Sequence, residues 1–340
     1  MVRLVDNPPN PWQSRSVELL GPPPDVELRV YEEEARSIVS SNDSPDVPFS
    51  FSVNPYRGCF HACAYCYARP THQYLDFGAG TDFERKIVVK TNAPDLLREW
   101  LARRRARDDV LAFSGVTDCY QPLEASYELT RGCLGACAEF RQPVGIITKG
   151  ALVERDLDLL VRLRERAAVR VYVSLAFVDE KDARLLEPFA ATPQRRLATM
   201  RRLADAGIPV GVALAPVIPG INDHAVPAAL EAARDAGADQ AFLTLLRVPA
   251  EVLPVFEARL RESFPERAAK VMSLLGQARG GNPRDARFGS RMRGQGPRWE
   301  LIEQIFALHV KRLQMNLREQ DAAFVRPTHR QGELFGGGGS

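Results

Sequence analysis

The chain has 340 residues, of which 45% are apolar, and its formal net charge is only +2. This length allows one large domain or two ordinary ones, and the apolar fraction supports a substantial core. A net charge so close to zero predicts no particular partner for the molecule as a whole. The sequence has no stretch typical of a membrane span, and its first residues lack the pattern of a secretory signal. Its six cysteines do not suggest a small secreted disulfide protein.

The first 45 residues are rich in proline and acidic residues, as in the runs at 7–11, 21–24 and 32–34. Such a segment buries little apolar surface by itself. We therefore predict that residues 1–45 form an extended N-terminal arm laid over the main domain.

Three cysteines follow the first predicted strand with the spacing Cys59-x3-Cys63-x2-Cys66. This spacing places three thiolates on one tight loop, where they can hold three irons of a cubane cluster. Because iron–sulfur clusters normally take four cysteines, a triplet indicates a fourth iron that is open to a substrate or cofactor. A structural zinc site needs a fourth protein ligand, and neither His61 nor His72 is well placed to supply it. A redox thiol pair is the other alternative.

The middle of the chain, residues 46–250, alternates strand-like and helix-like segments. The predicted strands are short and apolar, and they are Phe49–Val53, Val110–Val116, Val144–Thr148, Val169–Leu175, Pro209–Val217 and Ala241–Leu246. The predicted helices are amphipathic, and they include Ala93–Ala106, Glu128–Phe140, Arg155–Glu165, Pro193–Ala206 and Ala225–Asp235.

Six such units favour an α/β fold with a parallel sheet and helices outside it. They are too few to close an eight-stranded barrel, so we expect an open, partial (β/α)6 barrel. A flat, doubly wound sheet is the alternative. No glycine-rich dinucleotide fingerprint follows the first strand to support it.

Active groups of parallel α/β proteins gather at the carboxyl ends of the strands. Polar segments follow four of the predicted strands at this end: Thr117–Glu124, Thr148–Gly150, Ser174 and Ala215–Asp223. We expect these segments to meet the cysteine loop.

The C-terminal part of the chain, residues 251–325, is more helical and is predicted to cover one end of the barrel. Within it, the segment Arg279–Trp299 carries six arginines against one aspartate, interleaved with glycines and two aromatic residues. Arginines pair with phosphates and aromatic rings stack on bases, so this segment predicts a nucleic-acid contact. A mobile surface loop, or arginines that pair with the acidic arm, are the alternatives. Residues 326–340 are predicted to form a flexible tail, and Gly336–Ser340 has the composition of a linker.

Cys133 and Cys137 repeat the four-residue spacing, but they lie in a predicted helix. Residues four apart share one helix face, and free cysteine is among the most buried residue types. We predict core packing for both rather than a second cluster.

Four segments together resemble the radical S-adenosylmethionine (SAM) superfamily, and within it the spore photoproduct lyase-like branch of predicted DNA repair lyases. The segments are Asn54–His72, Thr117–Glu124, Ile147–Gly150 and Ala215–Asp223. The resemblance extends from about Ser40 to Asn316. It is closer to an uncharacterised bacterial subgroup than to the spore enzyme, and the fold it implies is the partial barrel.

The resemblance implies that Cys59, Cys63 and Cys66 ligate a [4Fe-4S] cluster whose open iron binds SAM. Reductive cleavage of SAM would give methionine and a 5′-deoxyadenosyl radical that abstracts a hydrogen atom from the substrate. Lys149 would pair with the SAM carboxylate, and Ser174 would bond the ribose or methionine moiety. A solvated lysine and a simple strand serine are the alternatives for these two residues.

The remaining implied SAM contacts lie on three other segments. Tyr65 would lie near the adenine, Thr117 and Asp118 would accept from the SAM ammonium, and the Ala215–Ile218 strand end would offer backbone contacts to the base, with Pro216 and Ile218 beside it.

Cys119 and Tyr120 are the candidate catalytic residues beside this site. A thiol there could return a hydrogen atom to a product radical, a role that a cysteine has in spore photoproduct lyase. A buried small hydrophobe is the alternative for Cys119. Tyr120 is predicted to be either a phenolic relay or a packing residue.

Three functions are open at this point. The first is repair or lysis of a damaged or modified nucleic acid; the second is radical SAM modification of RNA, a peptide or a small metabolite; the third is non-catalytic binding of nucleic acid by an iron–sulfur or zinc protein. An electron donor such as flavodoxin or ferredoxin is an implied partner. The segment Gln331–Phe335 resembles the short peptide by which bacterial repair proteins bind the sliding clamp. Reduced cysteines that bind iron predict the cytoplasm.

Overall fold

A computed structural model describes residues 27–103, 109–282 and 293–317 of the chain. The strands in these residues are β1 (Arg29–Glu33), β2 (Val39–Ser41), β3 (Phe51–Val53), β4 (Tyr56–Arg57), β5 (Lys86–Lys90), β6 (Leu111–Phe113), β7 (Val144–Thr148), β8 (Val169–Ser174), β9 (Val210–Val217) and β10 (Gln240–Leu245). The α-helices there are α1 (Thr81–Arg85), α2 (Ala93–Arg103), α3 (Glu124–Tyr127), α4 (Leu129–Phe140), α5 (Leu157–Arg164), α6 (Glu180–Leu186), α7 (Pro193–Asp205), α8 (Val226–Asp235), α9 (Leu253–Ser263), α10 (Ala268–Ala278) and α11 (Pro297–Arg312). Three short 3-10 helices cover Arg69–Leu75, Ala151–Asp156 and Asp223–Ala225.

The main sheet has seven strands in the order β10-β9-β8-β7-β6-β3-β2. All neighbours from β3 to β10 are parallel, and only β2 pairs antiparallel, with β3. The six parallel strands therefore follow one another in space as they do in the chain. This arrangement confirms the predicted partial (β/α)6 barrel.

The helices pack on one face of this sheet. Along the chain α2 contacts α4, α4 contacts α5, and α7 contacts α8. A doubly wound sheet would instead divide its helices between two faces. The alternative of a flat, doubly wound sheet is therefore wrong.

The two faces of the parallel strands carry different side chains. Val171, Val173 and Val212 are almost fully buried on the outer face, where they share the main core with the helix residues Leu160 and Leu203. The intervening residues on the inner face are often small, and they include Ala112, Gly145, Gly211, Ala213 and Ala215. Since side chains alternate along a strand, the apolar core lies outside the barrel wall and the inner face keeps space.

Two segments of the predicted arm form strands. β1 pairs in parallel with β5, and β2 pairs with β3 at the edge of the main sheet. β5 itself was not predicted; it belongs to a separate three-stranded sheet with the order β1-β5-β4. Short segments such as these gain their hydrogen-bond partners only from distant parts of the chain.

The other predicted elements agree closely with the structure. β7 has the predicted bounds, and the other barrel strands differ by a few residues at their ends. The predicted helix Arg155–Glu165 instead begins as a 3-10 helix that ends at Asp156. The carboxylate of Asp156 accepts from Tyr120, Arg131 and Arg155, and it does not cap α5. Within the described residues, no helix has the length and apolar character that a membrane crossing requires.

Candidate cluster and cofactor site

The cysteine loop follows β3 and the two-residue strand β4. Cys59 and Cys63 are buried, and Cys66 is half-buried. The backbone N–H of Cys59 donates to the carbonyl of Phe83 at 2.9 Å. The first part of the loop is thereby tied to α1.

A fully buried guanidinium holds the middle of this loop. Arg69 donates through Nε and Nη2 to the carbonyl of Cys63 at 3.2 and 2.9 Å. Its Nη1 donates to the carbonyls of Ala79 and Gly80 at 3.1 and 2.9 Å, and Nη2 also pairs with Glu84. Arg69 therefore joins the loop to the segment that precedes α1.

A side-chain amide and a glycine shape the start of the loop. Gln121 accepts from the N–H of Phe60 at 3.0 Å and donates to the carbonyl of Gly58 at 3.1 Å. Gly58 has a φ of +80°, and a Cβ there would lie 2.9 Å from His72 and from the carbonyl of Phe83. Only glycine accepts this backbone angle and this crowding without strain.

The three thiols fit a cubane cluster better than a single ion. Burial raises the pKa of Cys63 to about 12, and burial also raises the pKa values of Cys59 and Cys66. Thiolates in such surroundings need cations beside them, which a metal supplies. Across the described residues, no three Cys, His, Asp or Glu side chains are placed to hold one metal ion together. A cubane instead spreads three cysteines over three irons, so the residues present fit the cluster.

Lys149 brings a positive charge to the loop from the end of β7. Its ammonium lies 5.7 Å from the centre of the Tyr65 ring, and the side chain is half-buried. Burial lowers the pKa of Lys149, but Cys63 and Glu187 raise it further, so the ammonium stays charged. Among the described residues no carboxylate lies within ion-pair distance of it. The ammonium is therefore available to bind the SAM carboxylate, as predicted for Lys149.

A buried ion pair below Lys149 was not predicted. Arg196 pairs with Glu187, and the hydroxyl of Tyr65 donates to the same carboxylate. Arg196 also donates to the carbonyl of Ser174 at 3.1 Å, which links α7 to the end of β8. The predicted contact of Tyr65 with adenine stays a prediction, because the structure shows only that its hydroxyl is held by Glu187 and that its ring lies beside Lys149.

The sequence contained one signal for this pair. Arg196 falls on the same face of the predicted helix as Met200 and Leu203, which are buried core residues. A charge on an apolar helix face needs a partner. Nothing in the spacing pointed to Glu187, since that residue follows α6 in a turn.

Asp118 acts as an internal clamp between strand ends. Its carboxylate accepts from Thr148 Oγ1 at 2.6 Å and from the backbone N–H groups of Tyr120 and Lys149 at 2.9 and 2.7 Å. It also lies 3.4 Å from Nδ1 of His61. Burial raises the pKa of Asp118, but these contacts, His61 foremost, hold it well below its usual range. Both carboxylate oxygens of Asp118 thus have partners within the chain, and its predicted contact with the SAM ammonium stays a prediction.

Thr117 is also engaged by the chain. Its hydroxyl donates to the carbonyl of Tyr56 at 3.0 Å, and its N–H donates to Asn54 Oδ1 at 3.4 Å. Asn54 also accepts from the N–H of Val116 at 2.9 Å. The hydroxyl oxygen of Thr117 can still accept, so its contact with the SAM ammonium stays a prediction.

Ser174 ends β8 on the inner face and is buried, with 4% of its surface exposed. Its hydroxyl has no hydrogen-bond partner within the described part of the chain. A buried hydroxyl of this kind is a suitable contact for a polar ligand.

The Ala215–Ile218 strand end is held by Asn222. The side chain of Asn222 accepts from the N–H of Ile218 at 2.6 Å and donates to the carbonyls of Ala176 and Pro216 at 2.7 and 3.0 Å. The N–H of Ile218 is thus engaged by Asn222, and the predicted backbone contacts of this strand end with adenine stay a prediction. The carbonyl of Pro216 keeps a second lone pair.

Cys119 and Tyr120 are buried and belong to the main apolar core. Cys119 is fully buried, and Thr130 donates to its carbonyl at 2.7 Å. The hydroxyl of Tyr120 donates to Asp156 at 3.0 Å. Burial and these contacts are those of packing residues, and the catalytic roles of Cys119 and Tyr120 stay predictions. Cys133 and Cys137 are also fully buried, in line with the core packing predicted for them.

The described arginines of the predicted nucleic-acid segment mostly have internal partners. Arg279 donates to the carbonyls of Leu245 and Leu246 at 3.1 and 2.8 Å, and Arg298 pairs with Asp223 at 2.5 Å. Trp299 is buried in the core rather than open to a base. Residues 283–292 of this segment, and the predicted clamp peptide Gln331–Phe335, lie outside the described residues.

The carboxyl rim of the barrel therefore brings together the cysteine loop, Lys149 and Ser174. A sequence profile described as the radical SAM superfamily matches residues 53–233, just over half of the chain. An uncharacterised protein of Mycobacterium tuberculosis is 46% identical over 177 residues, which are 52% of this chain and 52% of that protein. An uncharacterised protein of Methanocaldococcus jannaschii is 30% identical over 173 residues, 51% of this chain and 62% of that protein.

A third relative, the radical SAM Nalpha-GlyT isomerase of Pseudomonas phage M6, is 26% identical over 195 residues, 57% of this chain and 38% of that protein. The matches to the mycobacterial proteins cover about half the length of those relatives.

Among solved structures, spore photoproduct lyase complexed with dinucleoside spore photoproduct shares the fold, with a TM-score of 0.57 at 17% identity. The superposition covers 87% of this chain and 85% of the lyase. A mutant of that lyase has been solved with bound AdoMet. The cofactors of this fold family, a [4Fe-4S] cluster and SAM, suit the cysteine loop and the free ammonium of Lys149. The profile match over residues 53–233 shows that the chain belongs to the radical SAM superfamily.

Proposed function

We propose that the chain is a radical SAM enzyme that cleaves SAM reductively and takes a hydrogen atom from a damaged or modified nucleic acid. One observation carries the first part of this proposal. Three buried cysteines share one loop, and the half-buried ammonium of Lys149 lies beside it without a carboxylate partner among the described residues.

Different residues of the rim would bind the cluster and SAM. Cys59, Cys63 and Cys66 would hold the cluster, and Lys149 would bind the carboxylate of SAM by a charge-assisted hydrogen bond. The hydroxyl of Ser174 would bond a polar group of the same molecule. When bound, a reduced cluster and SAM together supply methionine and a 5′-deoxyadenosyl radical, with the electron delivered by a donor such as flavodoxin or ferredoxin.

The chain itself supplies rigidity and protection. Arg69 and Gln121 fix the cysteine loop through backbone carbonyls and an N–H, so the thiolates keep their relative positions. Glu187, Arg196 and Tyr65 form a buried, hydrogen-bonded group beside Lys149. Exclusion of water protects a reactive radical from side reactions. The reduced thiols that this chemistry requires suit the cytoplasm.

The nucleic-acid part of the proposal has its own support. The lyase that shares the fold holds a dinucleoside spore photoproduct. The described residues of Arg279–Trp299 add little, because Arg279 and Arg298 have internal partners. A peptide or a small metabolite as substrate, and a protein that only binds nucleic acid, are therefore outcomes of the test. Binding of the sliding clamp by Gln331–Phe335 remains a separate proposal.

The test uses protein reconstituted without oxygen, with dithionite as reductant. We expect 5′-deoxyadenosine and methionine to form from SAM, and we expect ultraviolet-irradiated DNA to change their rate of formation. Mass spectrometry of the DNA would identify the altered nucleotide. A protein that binds iron but forms no 5′-deoxyadenosine would contradict the enzymatic proposal. Unchanged rates with DNA, and faster cleavage with a peptide or metabolite, would contradict the nucleic-acid substrate.

A further inference from the structure

The small three-stranded sheet β1-β5-β4 has one face that the site described above does not use. Its other face packs into the core with three completely buried side chains, which are Tyr56, Ile87 and Val89. Since side chains alternate along a strand, the residues between them lie on the opposite side. We call this opposite side the cationic face, and it carries Tyr31, Arg57, Val88 and Lys90.

The strand register sets these four side chains close together. Val88 on β5 pairs with Tyr31 on β1 at one side and with Arg57 on β4 at the other. Lys90 lies two residues beyond Val88 and is therefore diagonally opposite Arg57, a position from which long side chains can meet. Neighbouring strands are about 4.8 Å apart, so the backbones at Tyr31 and Arg57 are roughly 10 Å apart across the sheet.

Arg57 and Lys90 bring two positive charges to this face. Lys90 is only 8% exposed and Arg57 is half-buried, and neither side chain makes a hydrogen bond or an ion pair with the described part of the chain. Burial, and after it the charge of Arg57, lower the pKa of Lys90 to about 8, although Glu33 raises it. Glu33 faces Lys90 in the register, but it is one carboxylate for two cations and lies beyond ion-pair distance of both. Like charges held together near the interior are stabilised when an anion binds between them.

An exposed aromatic ring lies on the same face. Tyr31 is 38% exposed, and its ring contacts the ring of Phe77, with the two centres 5.4 Å apart. Val88, which is 6% exposed, lies between Tyr31 and Arg57 in the register. An aromatic ring beside cations is typical of surfaces that bind single-stranded nucleic acid, because bases stack on the ring while the cations hold the backbone.

The cationic face adjoins the cysteine loop. Only Gly58 separates Arg57 from Cys59 along the chain. The backbone N–H of Lys90 donates to the carbonyl of Pro55 at 3.0 Å, in the segment between β3 and β4. An anion between Arg57 and Lys90 would therefore lie next to the start of the loop that carries the cluster cysteines.

We infer that the cationic face binds one nucleotide of the nucleic-acid substrate. A backbone phosphate would lie between Arg57 and Lys90, where it accepts charge-assisted hydrogen bonds and reduces the repulsion between the two cations. A neighbouring base would stack on Tyr31. The face would thereby fix the path of the strand beside the cluster loop. This inference rests on the proposed function and names the surface that holds the strand.

The test measures binding of single-stranded oligothymidylate to the reconstituted protein by fluorescence anisotropy at several salt concentrations. The double variant Arg57→Gln, Lys90→Met should bind about tenfold more weakly, because a phosphate loses its charged donors. The slope of log K against log salt should become shallower by about 0.7, the contribution of one phosphate of a single strand. Lys86→Met is the matched control, because that ammonium lies on the same strand and pairs with Asp82.

A further variant separates the base from the phosphate. Tyr31→Leu should weaken binding of oligothymidylate about fivefold and should leave binding of an abasic oligonucleotide of the same length unchanged. Iron content checks that Arg57→Gln keeps the cysteine loop intact. If that variant loses iron, Lys90→Met alone is measured, and it should show a smaller loss of affinity in the same direction.

The outcomes distinguish this inference from the proposed function. If the double variant keeps the affinity and the salt slope of the wild type, the inference is wrong while the proposed nucleic-acid substrate stands. If no oligonucleotide binds the wild type, the proposed substrate fails and the inference fails with it. Isothermal titration with inorganic phosphate tests the other source of the anion. Phosphate binding that the double variant loses, without binding of any oligonucleotide, would make this a site for free phosphate and overturn the inference.

Discussion

Lys149 directly follows the last residue of β7, and its position depends on Asp118. Its backbone N–H is held by Asp118 at 2.7 Å, which aims the side chain across the rim toward Tyr65. The ammonium is thus positioned before any ligand binds. Because the ammonium is already oriented, little conformational entropy is lost when a carboxylate binds to it.

Lys149→Met should weaken SAM binding by about tenfold to a hundredfold, because one charge-assisted hydrogen bond is lost. Equilibrium dialysis of SAM against the reconstituted protein measures this change. Iron content should stay unchanged, since the cysteines are intact. Lys86→Met is the matched control, because that ammonium pairs with Asp82 near the surface. Equal SAM affinities in the wild type and Lys149→Met would contradict the assignment.

His72 should make stability depend on pH. It is fully buried against Gly58, and burial lowers its pKa to about 4 from an ordinary value of 6.5. Between pH 6.5 and pH 4, His72 is therefore protonated in the unfolded chain but neutral in the folded chain. Stability falls as the pH falls through 6.5 toward 4, and it is fully present above 6.5.

Between pH 7.5 and 5.5 this histidine should cost the folded protein roughly 1.4 kcal/mol. Urea denaturation of the reconstituted protein at both pH values measures the loss. His72→Gln should remove this part of the difference, because glutamine has no proton to gain. A variant with the same pH dependence as the wild type would show that His72 is not the group responsible.

At the scale of elements, the turn after β7 decides how close the strand ends approach. Gly150 begins the turn into the 3-10 helix Ala151–Asp156. A Cβ at Gly150 would lie 2.3 Å from the carbonyl oxygen of Tyr120. Backbone atoms that close cannot yield as a flexible side chain does, so this glycine sets the distance between the ends of β6 and β7.

Gly150→Ala should lower the free energy of unfolding by about 1–3 kcal/mol and should weaken SAM binding. Gly135→Ala is the matched control, because no heavy atom lies within 4 Å of a Cβ there and the residue lies in α4. That control should gain up to about 1 kcal/mol from helix propensity. Chemical denaturation measures both values. Two variants with the same change in stability would contradict the close approach.

The sequence predicted the barrel elements well for a clear reason. β7 and α4 have strong apolar periodicity, and this pattern lies within each segment, so it can be read without knowing what the segment packs against. β4 and β5 were missed because β4 has only two residues and both strands belong to a small separate sheet that joins distant segments of the chain. The predicted helix Arg155–Glu165 was divided because Asp156 found partners on α4 and after β6.

At the scale of the whole molecule, Arg279 fastens the C-terminal layer to the barrel. It follows α10 and donates to the carbonyls of Leu245, Leu246 and Arg293. The end of β10 thus depends on a guanidinium from the C-terminal helices.

Arg279→Met should lower the free energy of unfolding by about 2–3 kcal/mol, because buried carbonyls lose a charged donor. Hydrogen exchange should rise mainly in residues 245–248. Arg261→Met is the control, since that exposed side chain pairs with Glu257 on α9, and we expect a change below about 1 kcal/mol. A variant that keeps its stability and loses only DNA affinity would instead return Arg279 to the predicted nucleic-acid surface.

The sequence by itself determined the cluster loop, the order of the barrel strands and the rim position of Lys149. Each of these depends on spacing along one segment or on the rule that parallel strands end at one edge. Only the tertiary structure decided that Asp118 and Cys119 are internal, that Arg196 meets Glu187, and that Arg57 lies beside Lys90. Those contacts join residues far apart in the chain, and side-chain partners at that separation depend on packing, which no local pattern records.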